Sequence, residues 1–271
     1  MEQSRSSSSP ERPVAVVTGA SSGIGYELAK QFAEHGYDLV IAAEDAGVAR
    51  AAQDIQALGA TVESVQADLA TWDGVERLWN TATAGGRHPE SVAINAGIGS
   101  GGEFTDTDLR TELRLVDLNC VSVVHLAKLA AREMAPRGGG RILITSSIAA
   151  TMPGPYEAVY AASKAFDLSF AEALRHELKD HGVTVTALMP GPTDTEFFER
   201  ADLTDTKLGQ AKKDDPAEVA RDGFEALMAG KDKVVAGSVK NKVQATTARA
   251  MPDPAKAAMH GKLSEPGSGT K

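Results

Sequence analysis

Apolar positions along the chain fall into short continuous runs separated by longer amphipathic stretches. Val14 to Val17, Leu39 to Ala42, Val62 to Val65, Ser91 to Ile94, Arg141 to Thr145, Val183 to Leu188 and Lys233 to Ala236 have the length and apolar content of strands. Between them the apolar residues recur at helical spacing. Helices are predicted from Leu28 to about Gly36, Ala46 to Leu58, Trp72 to Ala82, Asp108 to Met134, Val159 to His181, and from Pro216 to Met228 with Asp214 or Asp215 as the cap. A last helix is predicted over Val239 to Arg249, and beyond Pro252 only a weak helical patch precedes a Gly/Ser tail. Strands alternating with helices require a parallel sheet with right-handed crossovers, and no internal repeat competes with that reading. The predicted class is therefore α/β, one doubly wound parallel sheet of about seven strands with helices on both faces. Residues 1–13 read as a disordered Ser-rich tail, 14–250 as the folded domain with 194–215 a substrate-lid loop inside it, and 251–271 as a weakly structured tail.

In such a sheet, ligands bind beyond the carboxyl ends of the strands. The unusual residues of this chain fall there. Gly19, Gly23 and Gly25 follow the first strand, Glu44 the second, Asp68 the third, Asn95-Ala96-Gly97 the fourth, Ser146 and Ser147 the fifth, and Pro190-Gly191 the sixth. Glycines at a strand-to-helix turn let a phosphate approach the backbone, and the helix N-terminus offers free N–H groups and a positive dipole end. The spacing here is GxxxGxG, which meets the usual GxGxxG dinucleotide fingerprint only loosely. Glu44 lies where an acid should take the adenosine ribose hydroxyls, although the start of a surface helix explains it as well.

Gly19-Ala20-Ser21-Ser22-Gly23 also satisfies GxSxG, the nucleophile elbow of α/β-hydrolases, which would make Ser21 an acylating nucleophile. That reading needs strands upstream and a His at a strand end. Only one strand precedes Ser21, and His125, His176 and His181 fall in or at the ends of long helices. Tyr160 and Lys164, four apart on one predicted helix, share a face. An ammonium there favours the phenolate and turns a phenol of pKa about 10 into a usable acid or base.

Charge and composition narrow the partners. A formal net charge of -9 argues against a nucleic-acid groove or an anionic membrane surface. The single cysteine, Cys120, allows no internal disulfide and no cysteine-rich zinc site, in keeping with a cytoplasmic protein, and with no HExxH either, no metal is expected. No apolar h-region marks Met1 to Pro13 as a signal peptide, and no apolar run approaches the ~20 residues of a membrane span.

TGASSGIG over Thr18 to Gly25, NAG over Asn95 to Gly97, Asn119, Ser147 and YAASK over Tyr160 to Lys164 together resemble the short-chain dehydrogenase/reductase family, in order and in spacing, from roughly Pro13 to Gly237. The resemblance implies a Rossmann-like fold and hydride transfer between a nicotinamide dinucleotide and a carbonyl or secondary alcohol. Tyr160 would be the acid/base and Ser147 would hold the reacting oxygen. Lys164 would hold the nicotinamide ribose and lower the Tyr160 pKa. Asn119 would interrupt its helix to keep a proton-relay water. The dinucleotide would lie on Gly19, Ser21, Ser22, Gly23, Ile24 and Gly25, then on Glu44, Asp68 and Leu69 at the adenosine end, on Asn95, Ala96 and Gly97, and on Pro190, Gly191, Thr193 and Thr195 around the nicotinamide.

Departures from the family pattern are informative. Ile94 replaces the first Asn of NNAG. After the second strand, Ala42-Ala43-Glu44-Asp45 has neither the Arg of many NADP-preferring relatives nor the Asp of many NAD-preferring ones. With Ser22 in the glycine turn and no cation in view for a 2′-phosphate, NAD(H) is expected over NADP(H). The three loops 98–104, 151–156 and 194–215 bring Phe104, Met152, Tyr156, Phe197, Phe198, Leu203 and Leu208, so an apolar small-molecule substrate is expected. The family also implies a homodimer or homotetramer on the two long helices, where Ala127, Ala130 and Ala131 would allow close packing or simply face the sheet. A dinucleotide-binding regulator or scaffold remains the reading of a different class.

Overall fold

The computed structural model describes residues 12–238, 241 and 251–270. Seven parallel strands form one sheet in the order β3-β2-β1-β4-β5-β6-β7. They are β1 (Val14–Thr18), β2 (Asp38–Ala43), β3 (Val62–Gln66), β4 (Pro89–Ile94), β5 (Gly140–Thr145), β6 (Val183–Met189) and β7 (Lys233–Val235). The inner strands are apolar on both faces because both are covered. Val16, Val40, Val92, Ile142 and Val185 turn to one side and pack under α3 (Trp72–Thr83), α5 (Ser122–Met134) and α6 (Ala158–Leu178). Ala15, Val17, Ile41, Ala93 and Leu143 turn to the other and meet α1 (Gly23–Glu34), α2 (Gly47–Gln56) and α9 (Pro216–Met228). Edge strand β3 instead exposes Glu63, Ser64 and Gln66. The strand order reverses between β1 and β4, which opens a crevice at their carboxyl ends.

Asp215 caps α9, its Oδ1 accepting from Ala217 N at 2.8 Å with Pro216 at the first helical position. The predicted long helix Asp108 to Met134 is interrupted. It consists of α4 (Leu109–Val116), a π turn over Asp117–Val121 and α5, and Asn119 lies in the π turn. Span 194–215 is not wholly irregular. Two one-turn helices, α7 (Phe197–Arg200) and α8 (Lys207–Gln210), enclose a small core of Phe198, Ala201 and Leu203.

Where the expected tails are described, their residues depart from that expectation. Arg12 donates to Gly36 O at 3.0 Å, and Pro13 O accepts from Asp38 N at 2.9 Å, so these two residues already pack at the amino ends of β1 and β2. Asp253–Ser264, expected to be weakly structured, is a helix folded back on the body. Its apolar content is low, and polar contacts described below seat it, which is why hydrophobic periodicity did not reveal it. The helix expected over Val239 to Arg249 lies outside the described residues except for Asn241.

Phe32 is fully buried between Tyr37 and Phe224, with edge-to-face centroid separations of 5.2 and 5.1 Å, and so ties α1 to α9. Phe32→Ala is expected to destabilise the protein by about 3–5 kcal/mol, measured by denaturant unfolding.

Candidate active site

The turn after β1 is built on glycine for two separate reasons. Gly19 and Gly23 have φ of 66° and 57°, and a Cβ on Gly25 would lie 2.1 Å from Gly19 O. Ser22 caps α1 without a side-chain bond to the first-turn N–H groups, which leaves them available to an anionic ligand. Ser21 donates to Asp45 Oδ2 at 2.7 Å, and among the described residues no histidine is hydrogen-bonded to it, so the hydrolase reading lacks its base. Ile24 and Leu69 line the same crevice.

Asn95 is a staple across the strand ends. Its Nδ2 donates to Thr18 O at 3.1 Å, its Oδ1 accepts from Thr145 Oγ1 at 3.1 Å, and its backbone N donates to Thr18 Oγ1 at 2.9 Å. Ala96 N shares that hydroxyl at 3.0 Å. The crevice floor is thus set by β1, β4 and β5 together. Gly97 leaves room above it, since a Cβ there would sit 3.2 Å from Asn119 Oδ1 and 3.4 Å from Lys164 Nζ.

At the end of the crevice beyond β2 and β3, Glu44 and Asp68 converge on a residue the sequence did not single out. Arg114 of α4 meets Asp68 with two bonds, 2.9 and 3.1 Å, and Glu44 Oε2 at 2.5 Å. The Arg114 guanidinium, opposed by partial burial and aided by the Ala70 N–H, holds the Asp68 carboxyl below the usual carboxylate range. The expectation that no cation stands in this region is therefore corrected. Arg114 lies 70 residues from Glu44 along the chain, and only packing of α4 over the β2 and β3 ends brings them together.

At the other end Ser147, Tyr160 and Lys164 line one cleft together with Gly191, Phe197 and Met152. Ser147 Oγ accepts from Ala149 N at 3.1 Å, while Ser146 Oγ donates to Lys164 O at 2.7 Å and so fixes α6 against β5. Lys164 Nζ donates to Thr145 O at 3.0 Å and to Asp167 Oδ2 at 2.9 Å, and lies 6.0 Å from the Tyr160 ring centre. Asn119 is fully buried with both amide atoms engaged. Its Oδ1 accepts from Ile98 N at 3.0 Å, and its Nδ2 donates to Ile98 O at 2.9 Å and Ser163 Oγ at 3.0 Å. Its side chain therefore fixes the loop that follows β4.

Burial pushes the Tyr160 phenol above its ordinary value. Lys164 pulls it back, Glu157 pushes it up again, the Ser147 hydroxyl lowers it and Asp167 raises it. The expected net lowering by Lys164 is thus not met in this arrangement. For Lys164 burial works against the charged form, and Asp167 and Tyr160 together outweigh it and hold the ammonium above its usual value.

Thr193 bridges to Asp214 behind Pro190 and Gly191, and Thr195 packs over the glycine turn, its Cγ2 2.9 Å from where a Cβ on Gly23 would lie. Of the apolar residues expected around the substrate, Met152, Phe197, Phe198 and Leu208 line the cleft, Leu203 is in the small core beneath them, and neither Tyr156 nor Phe104, which is 66% exposed, is among the lining residues. Among the lining residues that sequence reasoning missed are Glu157, His260 and Leu263. The C-terminal helix carries the last two, seated by Ser264 Oγ, which donates to Glu157 Oε2 at 2.8 Å beside His260 Nδ1 at 3.3 Å. Burial raises the Glu157 carboxyl and lowers the His260 imidazole.

A family model described as short chain dehydrogenase matches residues 13–205. This chain belongs to that family. It is 38% identical over 189 residues to 1-deoxy-11-beta-hydroxypentalenate dehydrogenase of Streptomyces exfoliatus, covering 68% of this chain and 69% of the relative. It is 36% identical over 183 residues to the Mycobacterium tuberculosis protein named Probable oxidoreductase EphD, covering 67% of this chain but only 31% of that longer protein. Among solved structures, a short-chain dehydrogenase from Sphingobium yanoikuyae in complex with NADPH aligns with TM-score 0.77 at 28% identity, over 82% of this chain and 87% of that one. The bulky-bulky ketone specific alcohol dehydrogenase from Comamonas testosteroni aligns with TM-score 0.74 at 26% identity, over 88% and 92%.

The Asp68–Arg114 pair carries a pH dependence. Asp68 has a lowered folded-state pKa, so its contribution is complete above the unfolded value of about 3.9 and is lost as pH falls through the folded one. Both side chains are more than a third exposed, which limits the contribution to about 1 kcal/mol or less. Arg114→Ala is expected to lower stability by that much at neutral pH, and the difference from wild type to shrink below about pH 4 in denaturant titrations.

Proposed function

We propose that this protein is a nicotinamide-dependent oxidoreductase acting on a carbonyl or secondary alcohol, with the reacting oxygen held between Tyr160 and Ser147. The convergence of Ser147, Tyr160 and Lys164 on one cleft continuous with the glycine turn carries this reading. The residues fit a dinucleotide. A side chain at Gly25 would collide with the turn, the first N–H groups of α1 have no side-chain cap, and Gly97 leaves the face of Lys164 clear. Gly19, Gly23 and Ser22 would hold the pyrophosphate, Glu44 and Asp68 the adenosine, and Pro190, Gly191, Thr193 and Thr195 would border the nicotinamide. The bound nicotinamide supplies or accepts the hydride.

The chain's own side chains handle the proton. Tyr160 donates it to the oxygen in reduction and takes it in oxidation, while the Ser147 hydroxyl orients that oxygen. Lys164 spends two of its N–H groups on Thr145 and Asp167, which leaves the third for a ribose hydroxyl. Span 194–215 acts as the substrate lid, with Phe197 against the Tyr160 ring at 5.1 Å between centroids. The wall of Met152, Phe197, Phe198, Leu208 and Leu263 supports an apolar substrate.

NAD(H) is the expected cofactor. Glu44, Asp45 and Asp68 put three carboxylates against one guanidinium, Arg114, which two of them already occupy. A 2′-phosphate near Glu44 meets repulsion on the order of 1–3 kcal/mol at partly solvated distances. The Sphingobium relative's complex with NADPH supports the dinucleotide class, and this local charge is the argument for NAD(H) within it.

A second copy of the chain is the proposed partner. Leu109, Leu113 and Val116 form one exposed stripe on α4, continued by Val121, Val124 and by Phe166 on α6. Ala127, Ala130 and Ala131 belong instead to the core under the sheet. Sedimentation should therefore give a dimer or tetramer.

Assays with a panel of ketones, aldehydes and β-keto thioesters test the chemistry. Tyr160→Phe should lose roughly 100- to 10,000-fold in turnover, and full activity in that variant would overturn the reading. On one substrate, catalytic efficiency should be higher with NADH than with NADPH, and a clear NADPH preference would refute the cofactor assignment.

A further inference from the structure

Asp167 has no part in the chemistry set out above, yet it lies next to it. It is one turn after Lys164 on α6, fully buried, with Oδ2 2.9 Å from the ammonium. Its Oδ1 is also enclosed and meets no donor among the described residues. Stability does not account for such a group. Taking a carboxylate out of water without satisfying its oxygens costs about as much as the ion pair returns. Of the other buried positions on this helix, Ser163 and Lys164 have their polar atoms engaged, while Ala161, Ala171 and Leu178 are apolar, and a residue of that last kind at 167 would serve as well for packing.

What Asp167 does change is the charge beside Tyr160. From α6 the phenol faces Lys164, Glu157 and Asp167, and from the loop after β5 it faces Ser147. Cys120 of the π turn lies against the Lys164–Asp167 pair, and its thiol is pushed up to about 11, first by burial and then by Asp167. His260 of the C-terminal helix lies against Glu157, with Nε2 3.7 Å from Oε2. One ammonium therefore stands among two carboxylates and a phenol. An ammonium already matched to a carboxylate at 2.9 Å has less field left to stabilise a phenolate.

We propose that Asp167 is a positioning residue for Lys164: it draws the ammonium back from Tyr160, keeps the phenol protonated through neutral pH and so sets the site to donate a proton to a carbonyl. The consequence for direction rests on the hydride-transfer reading. The carbonyl carbon gains the hydride of the reduced nicotinamide, its oxygen gains the Tyr160 proton, and the phenolate left behind is reprotonated from solvent. Oxidation of the alcohol needs the phenolate first and is displaced to alkaline pH.

The charge statement itself can be tested without a substrate. Phenolate absorbance of the full chain minus that of Tyr160→Phe isolates one phenol among the four tyrosines. In the wild-type protein this phenol should titrate at or above the ordinary value of about 10. In Asp167→Asn, which keeps size and removes charge, it should titrate about one pH unit lower, and Asp167→Glu should move it back. Wild-type titration below about pH 8, or a titration in Asp167→Asn that is unchanged or higher, would overturn the proposal. The wild-type measurement stands even where Asp167→Asn folds poorly. If the titration behaves as stated but no carbonyl compound is reduced, hydride transfer fails while the role of Asp167 stands. If compounds are reduced and the titration does not move, the reverse holds.

Discussion

A buried ammonium has to be neutralised, and the way this protein neutralises Lys164 organises the end of the sheet where its site lies. The Nζ atom is held by Thr145 O from the end of β5 and by Asp167 from its own helix. Ser146 bonds the Lys164 carbonyl, and Asn119 reaches Ser163 from the π turn while clamping the backbone of Ile98. Strand β5, helix α6, the π turn and the loop after β4 are thereby locked to one another. Tyr160, one turn before Lys164, takes its position from that lock.

The crevice in which these groups act follows from strand order. Chain reversal between β1 and β4 separates the loops that follow them, and Asn95 and the Thr18 hydroxyl tie the two strand ends so that the gap is defined to within a hydrogen bond. Glycine occupies the points where any side chain would close it, Gly25 against Gly19 O and Gly97 against Lys164. The crevice is thus a property of topology and of missing Cβ atoms, and the polar side chains add selectivity to it.

Groups distant in sequence finish the two ends of the crevice. Arg114 balances Glu44 and Asp68 at one end, while the helix Asp253–Ser264 brings His260 and Leu263 against Glu157 at the other. The family match spans residues 13–205, and that C-terminal helix lies beyond it. Both are polar contacts on helices whose hydrophobic pattern reports only which face meets the body.

Local order along the chain determined the strands, the doubly wound class and the order of the chemical groups. Period-2 and period-3.6 patterns record burial, and a parallel sheet puts every loop after a strand at one edge. For the same reason the glycine turn, Ser147, Tyr160 and Lys164 were legible: each is defined by neighbours a few residues away. Tertiary structure alone decided what surrounds them. The π turn at Asn119 is a shift in hydrogen bonding that leaves helical periodicity nearly intact. The seat of the C-terminal helix depends on Ser264 meeting Glu157, 107 residues away. Even Asp167, only one turn from Lys164, carried no signal, because an acid at that spacing is ordinarily a solvated partner. Its burial, which gives it a hold on the charge at Tyr160, exists only once α6 lies against β5 and the π turn.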